Sequence, residues 1–487
     1  MNFNSGAFLI FLPVVVTLHW LLPGRLRKYW LLAASCFFYM YWNPALILLL
    51  MLSTVIDYSC GRGMGRFRAE PGKRKLLLLV SICMNLGILF FFKYFNFFGD
   101  SVNSLCAALS VPYRVPRLDL ILPVGISFYT FQTMSYSIDV YRGDVEPEKD
   151  FISFALYVSF FPQLVAGPIE NPRNLLPQLK AERRFSYDDL ITGFRQLLCG
   201  FFRKCVVADL CGIYVNSVFN NISRANAVST AAAGALFCIQ MYCDFAGYSE
   251  IALGCARMMG VRLMRNFDRP YLSQSYGEFF RRWHISLNLW FTSYLYIPLG
   301  GSRRGLAVKL RNTVIVFGLC GLWHGARWTY VLWGLYAAFF VCLESVLKKP
   351  AAAAVRKYGI PLDNPLVILF RRCYMFVIFI PAALIFRSES TQQMCEILKL
   401  LFCGGHDLST ALESLSLNAP SLVGLCLTLL GMAAIYPWSS FDPAPAENET
   451  ASSRRLVSAV YLVLVIALAW LALLASSDAA GFAYFQF

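Results

Sequence analysis

The sequence predicts an all-α polytopic membrane protein, and three observations carry that expectation. Of its 487 residues, 58% belong to the hydrophobic set and 15% are charged, where a soluble domain carries about a quarter charged residues. Apolar runs long enough to cross about 30 Å of hydrocarbon as helices recur along most of the chain. The lysines and arginines that set a formal charge of +15 cluster between runs, at Arg25 to Lys28, Arg62 to Lys75, Arg262 to Arg269 and Arg303 to Arg311. Nucleic-acid binding would fit the sum of these charges but not their distribution; the positive-inside rule makes the loops cytoplasmic.

The first run, Ala7 to Leu22, has no basic residue before it, and Pro23, Gly24 and Arg25 follow directly. It reads as a retained anchor rather than a cleaved signal. Tyr29 to Tyr58 lies between two basic loops, so a single crossing would put one of them on the wrong side; Asn43-Pro44 splits it into two helices, because proline breaks a helix interior. Leu76 to Phe98, Phe151 to Ala166, Leu197 to Phe219 and Ala231 to Phe245 follow. Val308 to Trp323, Trp328 to Leu347, Leu366 to Phe386, Leu422 to Trp438 and Leu456 to Ala475 complete the set.

By length this predicts about 10 to 13 helical segments, some short or re-entrant. They belong to one membrane domain over 1–487, with no internal repeat and no shift in composition to divide it. The extramembrane pieces are Ser110 to Asp119, Arg142 to Asp150, Pro168 to Asp189, Lys348 to Pro365, Ser388 to Leu417 and Pro437 to Arg455. The last is a connector rich in Pro, Ala, Glu and Ser. The 16 cysteines form no CxxC pair, so neither a disulfide framework nor a zinc framework is expected.

Two of the four histidines stand in unusual company. His324 lies in Gly318 to Ala326, inside an otherwise apolar segment, and an ionisable group at membrane depth points to a functional site. Gly321 and Gly325 form a small-xxx-small pair that admits either a neighbouring helix or a slender substrate. Around His284, a continuous helix would place Phe280, Trp283, Leu287 and Phe291 on one apolar stripe, with Arg281, His284 and Asn288 on the polar face beside it. That pattern fits an interfacial helix with Trp in the aromatic belt as well as it fits a site. Desolvation keeps a buried imidazole neutral near pH 7, which makes it a competent general base for a hydroxyl attacking a thioester. The histidines form no local ligand motif, so no metal is expected.

Gln240 to Glu250 embeds Asp244 and Glu250 in an apolar region. Pairing with arginine, a structural role, is the favoured reading of Asp244 over direct catalysis, with site-shaping also open. Arg303, Arg304, Lys309 and Arg311, in and after a glycine-rich loop, suit the phosphates of a nucleotide-linked thioester such as acetyl-CoA. They suit topology signalling and lipid phosphate equally.

The stretches LPVGISFYTFQTMSYSIDVYRG (Leu122 to Gly143), FFPQLVAGPIE (Phe160 to Glu170), QMYCDFAGYSEIALG (Gln240 to Gly254), RRWHISLNLWFTSYLYIPLGGSRRG (Arg281 to Gly305) and GLWHGARWTYVLWG (Gly321 to Gly334) resemble the membrane-bound O-acyltransferase (MBOAT) superfamily. The likeness is to its branch of bacterial alginate O-acetylation proteins. It covers the chain from about Leu9 onward, with a motif-bearing core at about 122–347 and C-terminal helices and an aromatic tail over 366–487.

The resemblance implies a ring of helices around a central tunnel in a bacterial cytoplasmic membrane. It implies that His324 is catalytic, with His284 in the same chamber and Asn288, Asp244 and Trp323 shaping the site. It also implies an acyl thioester donor, acetyl-CoA, with no tightly bound cofactor, an extracytoplasmic acyl-transfer partner protein and an exported or envelope polysaccharide as final acceptor. Tyr484, in the aromatic tail, is a candidate acyl relay, with an interfacial aromatic anchor as the plainer reading. The chain departs from its relatives at Asn288 and Ser293, where many of them carry serine and threonine or aspartate. D-alanyl transfer to teichoic acid is the rival chemistry, and a transporter or export scaffold the rival class.

Overall fold

The computed structural model describes residues 1–435, in which the regular elements are all helical. The expected run at Leu456 to Ala475, the Pro437 to Arg455 connector and Tyr484 lie outside the described residues. The chain divides into two compact units, the first made of Met1–Leu197 and Ser249–Met264, the second of Leu198–Tyr248 and the chain from Arg265 on.

The first unit opens with α1 (Gly6–Leu21), α2 (Gly24–Met40) and α3 (Leu46–Arg66), followed by α4 (Pro71–Leu89), which passes through a π-turn at Phe90–Tyr94 into α5 (Phe95–Ala108). The gap between α2 and α3 falls at Asn43-Pro44, as the pyrrolidine ring requires. There follow α6 (Ile126–Arg142), α7 (Phe151–Ser159), α8 (Phe161–Leu164), α9 (Pro172–Lys180) and most of α10 (Tyr187–Phe201). Gly125 starts α6 at φ 78, and a Cβ there would meet the Leu164 carbonyl oxygen at 2.5 Å, so only glycine fits.

Between α3, α4 and α6 lies a buried polar network. The Asp57 carboxylate accepts from Ser81 Oγ (2.5 Å), Ser137 Oγ (3.1 Å) and Asn85 Nδ2 (2.8 and 3.0 Å), and Asn85 Oδ1 accepts from Ser53 (2.9 Å) and Thr133 (3.1 Å). A second latch joins loop to loop: the buried Glu170 carboxylate accepts the Met264 backbone N–H (2.5 Å) and the Asn174 amide (2.7 Å). Burial raises the Glu170 carboxyl to about 7.

The second unit takes up the chain at the end of α10, runs through a π-turn at Phe202–Ala208 and continues as α11 (Asp209–Asn220) and α12 (Ala227–Met258), whose last turns belong to the first unit. The short helices α13 (Tyr276–Arg282) and α14 (Ile285–Phe291) precede the long α15 (Leu306–His324), α16 (Trp328–Tyr358) and α17 (Pro365–Arg387). α18 (Thr391–Cys403), α19 (Leu408–Ser414) and α20 (Ala419–Ile435) end the described chain.

Six helices among the described residues are long and apolar enough to cross a membrane: α3, α4 with α5 as one span, α12, α15, α16 and α17. α19 and α20, bent by 77°, make a seventh if counted as one span. Ile10, Leu48 and Phe370 are 72%, 73% and 73% exposed, an outward apolar surface that hydrocarbon covers without cost. The chain is a polytopic membrane protein.

Candidate active site

α13 and α14 are two helices rather than the continuous one expected through His284. The reason is visible on both sides of the break. Tyr276 and Gly277 N–H groups, at the start of α13, donate to the Glu344 carboxylate on α16 (2.5 and 3.0 Å), and Ser275 caps the same end. After the break, the Ile285 N–H donates to the Asn266 carbonyl (2.8 Å) and Ser286 Oγ to Asn266 Oδ1 (2.6 Å).

The interrupted backbone thus finds its partners in the segment 266–268, where the Asp268 N–H also donates to the Arg282 carbonyl (3.0 Å). His284 sits at the joint with φ 44 and ψ 57. A non-glycine residue held in this left-handed region carries a cost that the surrounding structure must impose. The turn aims the imidazole inward, leaving it 3% exposed.

His324 is the last residue of α15. α15 and α16 cross at glycines: a Cβ on Gly321 would lie 2.2 Å from the Tyr330 carbonyl oxygen, and one on Gly334 2.2 Å from that of Phe317. The glycine pair therefore admits a helix, and Gly325 admits the Tyr330 ring, at 2.2 Å from a Cβ. This close crossing places the His324 ring 5.2 Å from Trp333, 5.4 Å from Phe386 and 5.1 Å from Trp323, centre to centre. The Trp323 ring in turn stands 5.7 Å from His284, which also meets Phe245 edge-on at 4.6 Å.

His284 and His324 line one cavity of about 50 Å³, with Asn288, Phe280, Phe317 and Trp333. Asn288 donates to the Phe280 carbonyl (2.8 Å), which fixes its amide across the broken helix. Drug-sized ligands occupy sites of about 300–1,000 Å³; this space is too small for a whole nucleotide.

Asp244 is paired with a lysine, Lys204, within the same unit. Lys204 Nζ lies 2.7 Å from Asp244 and 3.1 Å from Asp209, with side chains of Lys204 and Asp244 5% and 3% exposed. Lys204 stands in the Phe202–Ala208 π-turn, a geometry that recurs at functional and strained sites. The sequence held the signal, since Arg203 and Lys204 interrupt an apolar run, and cations at membrane depth demand a partner. Trp333 and Phe386 were likewise not singled out; only the folded crossing of α15 with its neighbours brings them to His324.

The basic set is placed apart from the cavity. Arg303 and Arg304 are exposed, and Arg311 is engaged with the Leu299 carbonyl (3.0 Å) and Asn312 Oδ1 (2.9 Å). The 15 positions from Lys309 to His324, on one helix, span about 22 Å at ~1.5 Å per residue. Among the described residues, no group of three histidine, cysteine or acidic side chains is disposed to hold a metal ion.

The protein is thus a polytopic helical membrane protein in which two histidines, one at the end of a membrane-crossing helix and one between two short helices, line one cavity. Residues 147–380 match the model of the MBOAT, membrane-bound O-acyltransferase, family. The chain is 36% identical over 459 residues to the probable alginate O-acetylase AlgI of Pseudomonas aeruginosa, covering 92% of this chain and 85% of that protein. It is 30% identical over 429 residues to the peptidoglycan O-acetyltransferase of Helicobacter pylori, covering 82% and 79%.

With the teichoic acid D-alanyltransferase of Bacillus subtilis it shares 26% identity over 247 residues, 49% of this chain and 62% of that one. The chain belongs to the membrane-bound O-acyltransferase family and is an O-acyltransferase. Membership replaces the transporter and scaffold readings.

Proposed function

We propose that the protein transfers an acetyl group from a cytoplasmic thioester, acetyl-CoA, toward a polysaccharide of the bacterial cell envelope. The observation that carries this reading is the meeting of His284, His324 and Asn288 on one small cavity. His324, at the end of a membrane-crossing helix, acts as general base. Its imidazole nitrogen takes the proton of an acceptor hydroxyl as that oxygen bonds to the thioester carbonyl carbon. Collapse of the tetrahedral intermediate then breaks the carbon–sulfur bond, and the thiolate leaves and takes up a proton as free thiol. A positioned base of this kind is worth roughly 10² to 10⁴ in rate.

His284, locked at its backbone turn, and Asn288, fixed on the Phe280 carbonyl, orient the reacting group, and Trp323, against both imidazole rings, shapes the site from behind the cavity wall; Asp244, on Lys204, acts outside that wall. A cavity of about 50 Å³ favours a short acyl group. Arg303, Arg304, Lys309 and Arg311 stand where donor phosphates would be held away from the chemistry, as a donor with a long thiol arm requires. The names of the Pseudomonas and Helicobacter relatives support an envelope polymer as acceptor, reached through an extracytoplasmic partner protein, in a bacterial cytoplasmic membrane. Tyr484 is the proposed acyl relay to that partner.

D-alanyl transfer is the second reading, favoured by the Bacillus relative at lower identity and about half the chain. The test offers purified protein labelled acetyl-CoA and, separately, a D-alanyl carrier-protein thioester, with an envelope polysaccharide and its partner protein. Label moving from acetyl-CoA alone supports the first reading. Movement from the carrier alone supports the second, and consumption of neither overturns both.

A further inference from the structure

A second cleft, in the first unit, opens at the turn between α1 and α2. It has a volume of about 240 Å³ and is walled by His19, Arg25, Arg27, Lys28, Lys180 and Arg183, with Asp150 and Glu182 as its acidic members. Much of this charge is already matched. Lys28 holds Asp150 at 2.5 Å, and Lys180 holds Glu148 at 3.0 Å.

The arginines are differently placed. Arg27 is clamped, its Nε donating to the Leu22 carbonyl (3.1 Å), its Nη1 to the Arg183 carbonyl (2.7 Å), and its guanidinium lying over Trp20 at 4.9 Å. Arg183 donates one Nη to Gln178 Oε1 (3.2 Å), while its buried Nε has no hydrogen-bond partner. His19 is 5% exposed, and its Nδ1 likewise has no hydrogen-bond partner.

Leaving such buried polar atoms unmatched costs on the order of 1–3 kcal/mol each, and both residues that carry them line the cleft. The start of α2 adds to the cleft's positive character. Its N-cap is Pro23, which offers no side-chain oxygen to the first N–H groups, and Gly24 and Arg25 border the cleft. The N–H groups of Gly24 and Arg25 and the positive end of a 17-residue helix add to the arginines, and the Glu182 carboxylate that lies against Gly24 marks that end as one that draws an anion.

We propose that this cleft binds a phosphoryl group, with Arg25 and Arg183 as its charged ligands, the α2 N-terminus completing the oxyanion cradle, and His19 Nδ1 contacting a hydroxyl on the phosphate or its ester. Two molecules can present that chemistry: the headgroup of an anionic phospholipid, or a soluble phosphate ester such as coenzyme A. The proposal stands apart from the acyl-transfer reading, because binding is measured without turnover.

The test is native mass spectrometry of the full chain with phosphatidylglycerol, with a phosphate-free glycosyl diacylglycerol of the same acyl chains, and with coenzyme A and pyrophosphate. Wild type retains phosphatidylglycerol over the glycolipid. In the double variant Arg25→Gln/Arg183→Gln the affinity falls about tenfold or more, the loss expected when charge-assisted hydrogen bonds are removed. Arg184→Gln, an exposed neighbour outside the cleft wall, binds as wild type.

Coenzyme A or pyrophosphate that binds, displaces the lipid and is lost in the same double variant identifies the soluble source; no displacement identifies the headgroup. If the double variant does not fold, Arg25→Gln alone, at an exposed position, carries the test with a severalfold loss. Undiminished binding in the folded variants, or binding of none of the phosphate probes by wild type, overturns the proposal.

Discussion

The first unit buries Asp57 and the second buries His284, and the surroundings of the two differ in kind. Asp57, fully enclosed, accepts from three side chains on two neighbouring helices, and the amide that serves it is itself served by Ser53 and Thr133. Every atom of that network is directed at another, which locks α3, α4 and α6 in one register. His284 is walled by the rings of Phe245 and Trp323, carried on a left-handed turn and faced by a cavity that His324 shares. The aspartate network closes on itself between three helices, whereas the His284 ring borders a space that a second imidazole also lines. Depth in the membrane alone does not distinguish the two.

The comparison is broken most forcefully at Lys204, which belongs to the second unit yet is predicted to behave like Asp57. Lys204→Met removes the cation 2.7 Å from the buried Asp244, and breaking such a pair costs about 3–5 kcal/mol. The thermal midpoint in detergent is expected to fall sharply, and Lys204→Met/Asp244→Asn to recover most of the loss. If the single variant is as stable as wild type but inactive, the pair belongs with the chemistry instead.

Glu170 gives the next effect and a pH signature. Its carboxyl is raised from 4.5 to about 7 by burial, so between these values the folded chain holds a proton that the unfolded chain has released. Stability is therefore full below pH 4.5 and declines as pH rises through about 7, by on the order of 3 kcal/mol. Glu170→Gln, with Asn174 turning its amide to match, is expected to flatten that part of the melting profile; an unchanged slope would deny Glu170 the role.

Asp57→Asn turns an amide donor toward the hydroxyls that serve the carboxylate and is predicted to cost about 2 kcal/mol, while turnover per folded molecule stays at the wild-type value. Smallest is Arg303→Gln/Arg304→Gln. Loss of the proposed remote phosphate contacts of these exposed arginines is expected to raise KM for acetyl-CoA severalfold and leave kcat unchanged.

Much of this architecture was legible in the sequence. The break at Asn43-Pro44 followed from one ring and two basic flanks, and His324 stood out as an ionisable group in an apolar segment, a pattern that helix packing around one satisfied histidine also fits. The break at His284 was not legible. Phe280, Trp283, Leu287 and Phe291 keep a helical period across it, and the competing partners, Asn266 and Glu344, come from segments remote in the chain. Lys204 was readable but overlooked within its run, and its pairing with Asp244, 40 positions on, is a matter of tertiary packing. The walls supplied by Trp333 and Phe386 depend on the crossing of α15 with α16 and α17, which no local pattern encodes.

The central claim is that the cavity shared by His284 and His324 is where the acyl group moves. Its most direct test is the rate of labelled acetyl transfer from acetyl-CoA by purified wild type, His324→Ala and Asp57→Asn, each normalised to folded protein by size exclusion. The account predicts a fall of roughly 10² to 10⁴ for His324→Ala and none for Asp57→Asn. Equal rates in wild type and His324→Ala, or an equal fall in both variants, would contradict it.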